Sequence, residues 1–285
     1  MDRSGLCDVL DGFLAALADR DHRRVSWAAN LRHSENNVML DPGDGLWGTI
    51  AGIGEYRLRF ADPATGQVGY FGTVIEPTEE SAFCLRIGVT PDGQIAEVEM
   101  VIVRDSEYGM ALPGKHFWTK PILETGPQVR SSREDLLRLA DGYFSTLQLN
   151  DGTIRTQFAP DCNRVENGVQ TTNNPDFTFI PSAALGCEEQ FRLGIYRYDD
   201  ELRARRYPLI DEERGLVFAF GFIDHSGRLG HYQWTDGSER VSPIRRPHSF
   251  YLGELFKIDH GMIEQIEANF ISVPYRMPSP WDALP

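Results

Sequence analysis

Two stretches decide the fold: Gly93-Gln94-Ile95-Ala96-Glu97-Val98-Glu99 and Gly261-Met262-Ile263-Glu264-Gln265-Ile266-Glu267. Each opens on a turn glycine and runs into a strand of alternating residues. Two further matches precede them in the same order. Leu10-Asp11-Gly12-Phe13-Leu14-Ala15-Ala16-Leu17 matches Ala140-Asp141-Gly142-Tyr143-Phe144-Ser145-Thr146-Leu147. Arg32-His33-Ser34-Glu35-Asn36-Asn37 matches Asn163-Arg164-Val165-Glu166-Asn167-Gly168. Three ordered matches within 285 residues indicate a duplicated domain.

Each copy opens with a helix. Leu6, Val9, Leu10, Phe13, Leu14 and Leu17 recur at helical spacing in the first copy. Leu136, Leu137, Leu139, Ala140, Tyr143, Phe144 and Leu147 do so in the second, with Ser131 or Ser132 as the cap. Strands follow at Gly69–Glu76, and at Ala82–Val89 and Ile95–Arg104 around a Pro91-Asp92-Gly93 turn. The second copy repeats this at Leu216–Asp224, and at Phe250–Ile258 and Ile263–Val273 around Asp259-His260-Gly261. The pattern is α+β, with domains at 5–105 and 131–275, a strap at 106–130 and a tail at 276–285. The strap is rich in Pro and Gly yet carries Lys115, His116, Phe117, Trp118 and Lys120. It reads either as a segment packed over one domain or as a lid over a cavity.

Composition narrows the function. Lys and Arg total 28 against 42 Asp and Glu, a net charge of −14. Such a surface repels phosphate backbones and anionic membranes, so neither nucleic acid nor a membrane is an expected partner. No apolar run reaches the ~18 residues of a membrane helix, and the first residues lack a leader pattern. The four cysteines, Cys7, Cys84, Cys162 and Cys187, form no C-x-x-C. Cys162 and Cys187 could pair in an oxidising compartment, but a cytoplasmic protein with free thiols is expected. Gly48-Thr49-Ile50-Ala51-Gly52-Ile53-Gly54 lacks the G-x-G-x-x-G spacing, and Asp41-Pro42-Gly43-Asp44-Gly45 lacks calcium-loop spacing. His225 and His231 have no carboxylate at matching spacing, so no metal and no cofactor are expected.

The helix, the Glu-Asn-Asn or Glu-Asn-Gly segment and the closing Gly-x-Ile-x-x-Ile/Val-Glu hairpin resemble the SnoaL-like branch of the nuclear-transport-factor-2-like superfamily. The resemblance implies two tandem cone-shaped domains, each a curved antiparallel sheet wrapped around helices with a pocket at its open end. Arg205-Arg206-Tyr207-Pro208-Leu209-Ile210-Asp211-Glu212-Glu213-Arg214-Gly215-Leu216 and Val273-Pro274-Tyr275 resemble fungal and bacterial tandem proteins of this kind. One bacterial member is a cofactor-independent lyase of lignin catabolism. It removes formaldehyde from a diarylpropane-diol and leaves a stilbene. Exposed sheet faces commonly pair in this superfamily, which implies a homo-oligomer.

Without a cofactor, the chemistry falls to acid–base side chains on otherwise apolar strands. Glu97 and Glu99 share one face of the last strand of the first copy, while Val98, Met100 and Ile102 take the other. If the Glu face lines the cone, desolvation raises a carboxyl pKa and makes a base or acid. Glu99 recurs as Glu267 and suits architecture; Glu97 becomes Gln265 and suits chemistry. His33, replaced by Arg164 in the second copy, is either a structural hydrogen-bonder or an acid–base group. Tyr56 and Lys120 are candidates for phenolate or hydroxyl contacts. Trp47, Asn36, Phe60, Phe71, Arg104, His116, Phe117 and Trp118 are the candidate substrate wall. The Arg- and Glu-rich run 203–214 reads as a solvated or interface ion network. The expected partner is a small aromatic substrate. Two readings compete with the lyase: a non-catalytic ligand-binding or assembly module, and a dehydratase or isomerase of polyketide-like substrates.

Overall fold

The computed structural model describes residues 1–104 and 121–282. The chain begins with α1 (Arg3–Ala18), capped by the Asp2 carboxylate, which accepts from the Gly5 N–H. Leu6, Leu10, Phe13, Leu14 and Leu17 form its buried stripe. Then come β1 (Trp27–Glu35), β2 (Val38–Met39), a short α2 (Leu46–Thr49), β3 (Gly52–Asp62), β4 (Gln67–Ile75), β5 (Glu80–Val89) and β6 (Ile95–Val103). After the turn α3 (Pro121–Glu124), the order repeats with α4 (Arg133–Leu149), β7 (Phe158–Glu166) and β8 (Val169–Gln170). It continues with α5 (Cys187–Arg192), β9 (Glu201–Asp211), β10 (Leu216–His225), the small pair β11 (His231–Gln233) and β12 (Glu239–Val241), β13 (His248–Asp259) and β14 (Met262–Val273). Ser132 caps α4, accepting from Asp135 N–H, while Leu137 of the expected apolar stripe points to solvent.

The fold is α+β, two cones in tandem. The sheets run β2-β1-β6-β5-β4-β3 and β8-β7-β14-β13-β10-β9, six strands each. All neighbours are antiparallel except β1–β6 and β7–β14, which are parallel. The register carries the repeat residue by residue. Arg32, His33 and Ser34 lie opposite Glu97, Val98 and Glu99, as Asn163, Arg164 and Val165 lie opposite Gln265, Ile266 and Glu267. Asn36 and Asn167 take left-handed conformations at the β1–β2 and β7–β8 turns. The Asn36 amide accepts from Ile102 N–H at 2.8 Å and donates to its carbonyl at 3.1 Å; Asn167 treats Phe270 likewise, at 2.9 and 3.2 Å.

Each sheet has a helix on its concave face. In the first cone Val98, Met100 and Ile102 join Phe83, Leu85 and Ile87 against α1. In the second, Ile263 and Ile266 join Leu252 and Phe256 against α4. A third core lies between the two sheets, built from Phe60, Phe71, Cys84 and Val101 of one and Phe218, Phe220, Tyr251 and Leu255 of the other. Here the backs of the sheets meet closely. A Cβ on Gly253 would fall 2.7 Å from the Cys84 sulfur, so glycine is required there.

Two crossed joints fasten the halves. Arg3, the first residue of α1, binds Asp211 of the second half, and Asp211 also accepts from Ala61 N–H at 3.1 Å. Arg133, the first residue of α4, binds Asp62 of the first half at 2.6 Å, and Asp62 accepts from Ile210 N–H at 3.1 Å. Nearby, Glu99 is wholly buried between Arg86 and Arg206 and accepts from the Tyr251 hydroxyl. The tail closes over this network. Trp281 stacks under the guanidiniums of Arg32 and Arg86, 4.5 and 4.7 Å from its ring centre, and donates from Nε1 to Ser34 Oγ.

Candidate active site in the second cone

The first cone does not present its acidic strand to its interior. Strand alternation puts Val98, Met100 and Ile102 under α1, so Glu97 and Glu99 face away, toward the second sheet. That corrects the expectation that the Glu face could line the cone. Glu97 is a partly exposed ion-pair partner of Arg86. Tyr56 lies between the sheets, donating to Glu267, and burial drives its phenol pKa upward. Phe60 and Phe71 belong to the same inter-sheet core. Trp47 fills the first cone against Phe13 and Trp27. Asn36 spends its amide on the Ile102 backbone. Arg104 binds Glu76 and Glu35. His33 is buried, with Nδ1 3.1 Å from the Leu40 carbonyl and a pKa lowered by burial. These groups do not converge on one space. Lys120, His116, Phe117 and Trp118, and with them the lid reading of the strap, lie outside the described residues.

The ionisable groups gather instead inside the second cone. Counting by the register, the position of Leu85 on β5 is taken by Glu254 on β13: each lies diagonal to the shared Glu99/Glu267 position and opposite its successor. Glu254 lies between Leu252 and Phe256 on the inward face, and it is wholly buried. Burial, reinforced by the neighbouring Glu166 and opposed by Arg164, pushes its carboxyl pKa up to about 8. The Tyr143 hydroxyl of α4 bonds to it.

Arg164 takes the place of His33. Its buried guanidinium donates to Gln190 Oε1 at 2.5 Å, to the Tyr196 hydroxyl and to Thr171 Oγ1, and lies 3.3 Å from Glu166. A second group sits at the end of the cone. The His225 imidazole approaches Asp199 at 2.8 Å through Nε2, while its Nδ1 is buried without a partner. His248 stacks on His225 at 4.8 Å and Tyr198 covers its other face at 6.2 Å. Burial raises the Asp199 carboxyl pKa against the pull of His225, and it lowers that of His248. Glu166 influences both Glu254 and Asp199, and Tyr196 and Tyr198 touch edge to face, so the two groups adjoin. Among the described residues, no set of three or more His, Cys, Asp or Glu is arranged to hold a metal.

Two insertions build this site. The β8–β9 connection spans residues 171–200 where its counterpart spans 40–51, and the β10–β13 connection spans 226–247 against 76–79. The first brings α5 with Gln190 and Phe191. The second brings the β11–β12 hairpin, which rests on it through Thr235 N–H to the Leu193 carbonyl and the Tyr232 hydroxyl to the Ile195 carbonyl. Sequence reading missed Glu254, Arg164, Asp199 and the His225–His248 pair as site residues. The available signal was the repeat itself: a glutamate where the other copy has leucine, in the longer copy.

Residues 129–270, the span of this cone, match a family described as a domain of unknown function (DUF8021). No curated protein matches the chain. Among solved structures, it is similar to a protein of unknown function with a cystatin-like fold from Methylobium petroleophilum, with 11% identity over 39% of this chain and 84% of the other and a TM-score of 0.32. A SnoaL-like family protein from Agrobacterium tumefaciens, proposed to be an isomerase, shares 13% identity over 35% and 99%, with a TM-score of 0.27. A proposed hydroxylase from Streptomyces galilaeus shares 14% over 50% and 83%, with a TM-score of 0.30. No helix of the described residues is long and apolar enough to cross a membrane.

Proposed function

We propose that the chain is a cofactor-independent acid–base enzyme whose active site is the second cone, acting on a small aromatic molecule. The observation that carries this is Glu254: a wholly buried carboxyl on the cone wall, held protonated at neutral pH, beside a buried guanidinium. A protein gains no stability from such a group where its duplicate uses leucine. Its value lies in proton donation near neutrality.

The substrate reading that accompanies the family resemblance is a phenolic diarylpropane-diol. Arg164 and Tyr196 would hold the phenolate, the role first given to Lys120 and Tyr56. The phenolate expels the benzylic hydroxyl, which takes the Glu254 proton and leaves as water. The resulting quinone methide is a neutral electron sink. The Asp199–His225 pair then removes the terminal hydroxyl proton, the side-chain carbon–carbon bond breaks, and its electrons rearomatise the ring. Stilbene, water and formaldehyde account for every atom of the diol. Tyr143, Phe191 and Tyr198 supply aromatic surface for the rings.

The test is incubation with the diol and a chelator, without cofactor, following stilbene absorbance and formaldehyde together. Equal yields that fall away in Glu254→Gln are expected. Turnover that survives Glu254→Gln and His225→Gln would place the chemistry elsewhere. Binding of the diol without turnover would point to the binding-module reading.

A further inference from the structure

Cys162 is the inward residue of β7 two positions before Arg164, and Cys187 is the first residue of α5. Both are free and buried, 1% and 2% exposed. The Cys187 thiol donates to the Cys162 carbonyl at 3.2 Å, and both side chains pack in the same core cluster. The remaining cysteines, Cys7 and Cys84, lie in the first half. No counterpart of this pair exists in the first cone, where the positions of β1 and of the 40–51 connection hold no cysteine.

We propose that Cys162 and Cys187 form a reversible disulfide that pins α5 against β7 and shuts the second cone. The consequence for the cone follows from what α5 carries. Gln190 binds Arg164, and Phe191 stacks on Phe158 at 5.7 Å and meets Tyr143 edge-on at 5.3 Å. A covalent bond at the first residue of this six-residue helix fixes the roof of the site. Hydrogen peroxide suffices as oxidant. The Cys187 thiolate attacks one peroxide oxygen, the O–O bond breaks, and protonation releases water and leaves a sulfenic acid. The Cys162 thiol then displaces the second water and the S–S bond forms. Two thiols lose two electrons and two protons in all, and the peroxide becomes two waters. The interaction with Cys162 and the attraction of Arg164 favour the Cys187 thiolate against the cost of its burial. Burial makes the reaction wait for α5 to lift, so oxidation reports the open cap and then abolishes it. The crosslink stands independently of the proposed reaction; its effect on turnover rests on that reading.

The experiment uses the full chain with Cys7→Ala, which removes the partly exposed thiol. Peroxide treatment, denaturation and maleimide labelling should leave one reactive thiol, Cys84, with a mass loss of two hydrogens and a Cys162–Cys187 linked peptide. Exchange of the amides of 187–192 should slow by about tenfold or more, and dithiothreitol should restore it. Cys187→Ala should retain both remaining thiols under the same treatment. Three free thiols after peroxide, or a disulfide with unchanged exchange in α5, would overturn the proposal. Loss of diol turnover on oxidation is expected. A reduced protein without turnover that still forms the crosslink would sink the reaction assignment alone.

Discussion

Where β5 of the first cone presents Leu85, β13 of the second presents Glu254, and where β1 presents His33, β7 presents Arg164. The backbones of the two cones are paired strand for strand, yet one is packed with apolar side chains around Trp47 and the other encloses carboxyls, a guanidinium and stacked imidazoles. Duplication relaxes the demand that each copy carry chemistry. The copy with short connections has an apolar interior, and the copy with two insertions holds the buried ionisable groups. Two buried glutamates mark the same division. Glu99, held between Arg86 and Arg206, has its pKa lowered despite burial; Glu254, with one guanidinium shared among several partners, has its pKa raised.

The comparison breaks most readily at Glu254. Glu254→Gln should lower kcat by roughly 10²–10⁴-fold, the usual worth of a positioned acid, while Glu97→Gln leaves it within about twofold. The reverse result in a turnover assay would move the chemistry to the first half. The same substitution should change the pH dependence of stability. The folded pKa of Glu254 lies above its ordinary 4.5, so its contribution is full below 4.5 and declines as pH rises toward about 8. Glu99 acts oppositely: its lowered pKa stabilises the fold above 4.5 and that support fades as pH falls through the folded value. Melting curves of Glu254→Gln should therefore lose the decline between 4.5 and 8 and keep the acid limb. An unchanged profile would mean that Glu254 is ionised in the fold.

The crossed joints sharpen the symmetry. Asp211→Ala should cost about 2–3 kcal/mol, because it leaves the buried Ala61 N–H without its acceptor and takes one of two carboxylates from the half-buried Arg3, which keeps Glu213. Asp62→Ala should cost a similar amount at the mirror joint, against less than about 1 kcal/mol for Asp11→Ala at the exposed Arg59 pair. Denaturant unfolding measures all three; unequal joints would show that one half depends on the other more. A smaller effect than at either joint is expected at the tail. Trp281→Ala should cost about 2 kcal/mol by removing a buried ring and its guanidinium stacks. A loss below about 0.5 kcal/mol would make the tail a passive cover.

Much of the fold was legible because duplication prints the same turns twice. The Asn36 and Asn167 turns, the hairpin glycines and the Glu99–Glu267 correspondence are local signals, fixed by backbone conformations that few residues adopt. The site was not legible because it depends on which face of a strand meets which neighbour. Glu97 and Glu99 alternate with Val98 and Met100, but period alone does not say that the apolar set goes to α1 and the acidic set to a second sheet. Glu254 sits within Phe250-Tyr251-Leu252-Gly253-Glu254-Leu255-Phe256, where a single carboxyl scarcely disturbs a strand pattern. Asp199 comes from a segment with no counterpart in the first copy, and His248 opens β13 at the end of the second insertion, where the repeat offers little guide.

The inter-sheet core has a consequence for synthesis. The first sheet is complete at Val103, but the face carrying Phe60, Phe71, Cys84 and Val101 is covered only when β14 ends at Val273. At the usual pace of a ribosome that interval is roughly 10–30 s. Through it the nascent chain displays an apolar sheet face matched in shape to another sheet of its own kind, so a neighbouring nascent chain is a competitor for the place the second half will take. Domain-exchanged pairs on crowded polysomes are the error this architecture invites, because an identical chain offers the same apolar face and the same two crossed joints as the chain's own second half.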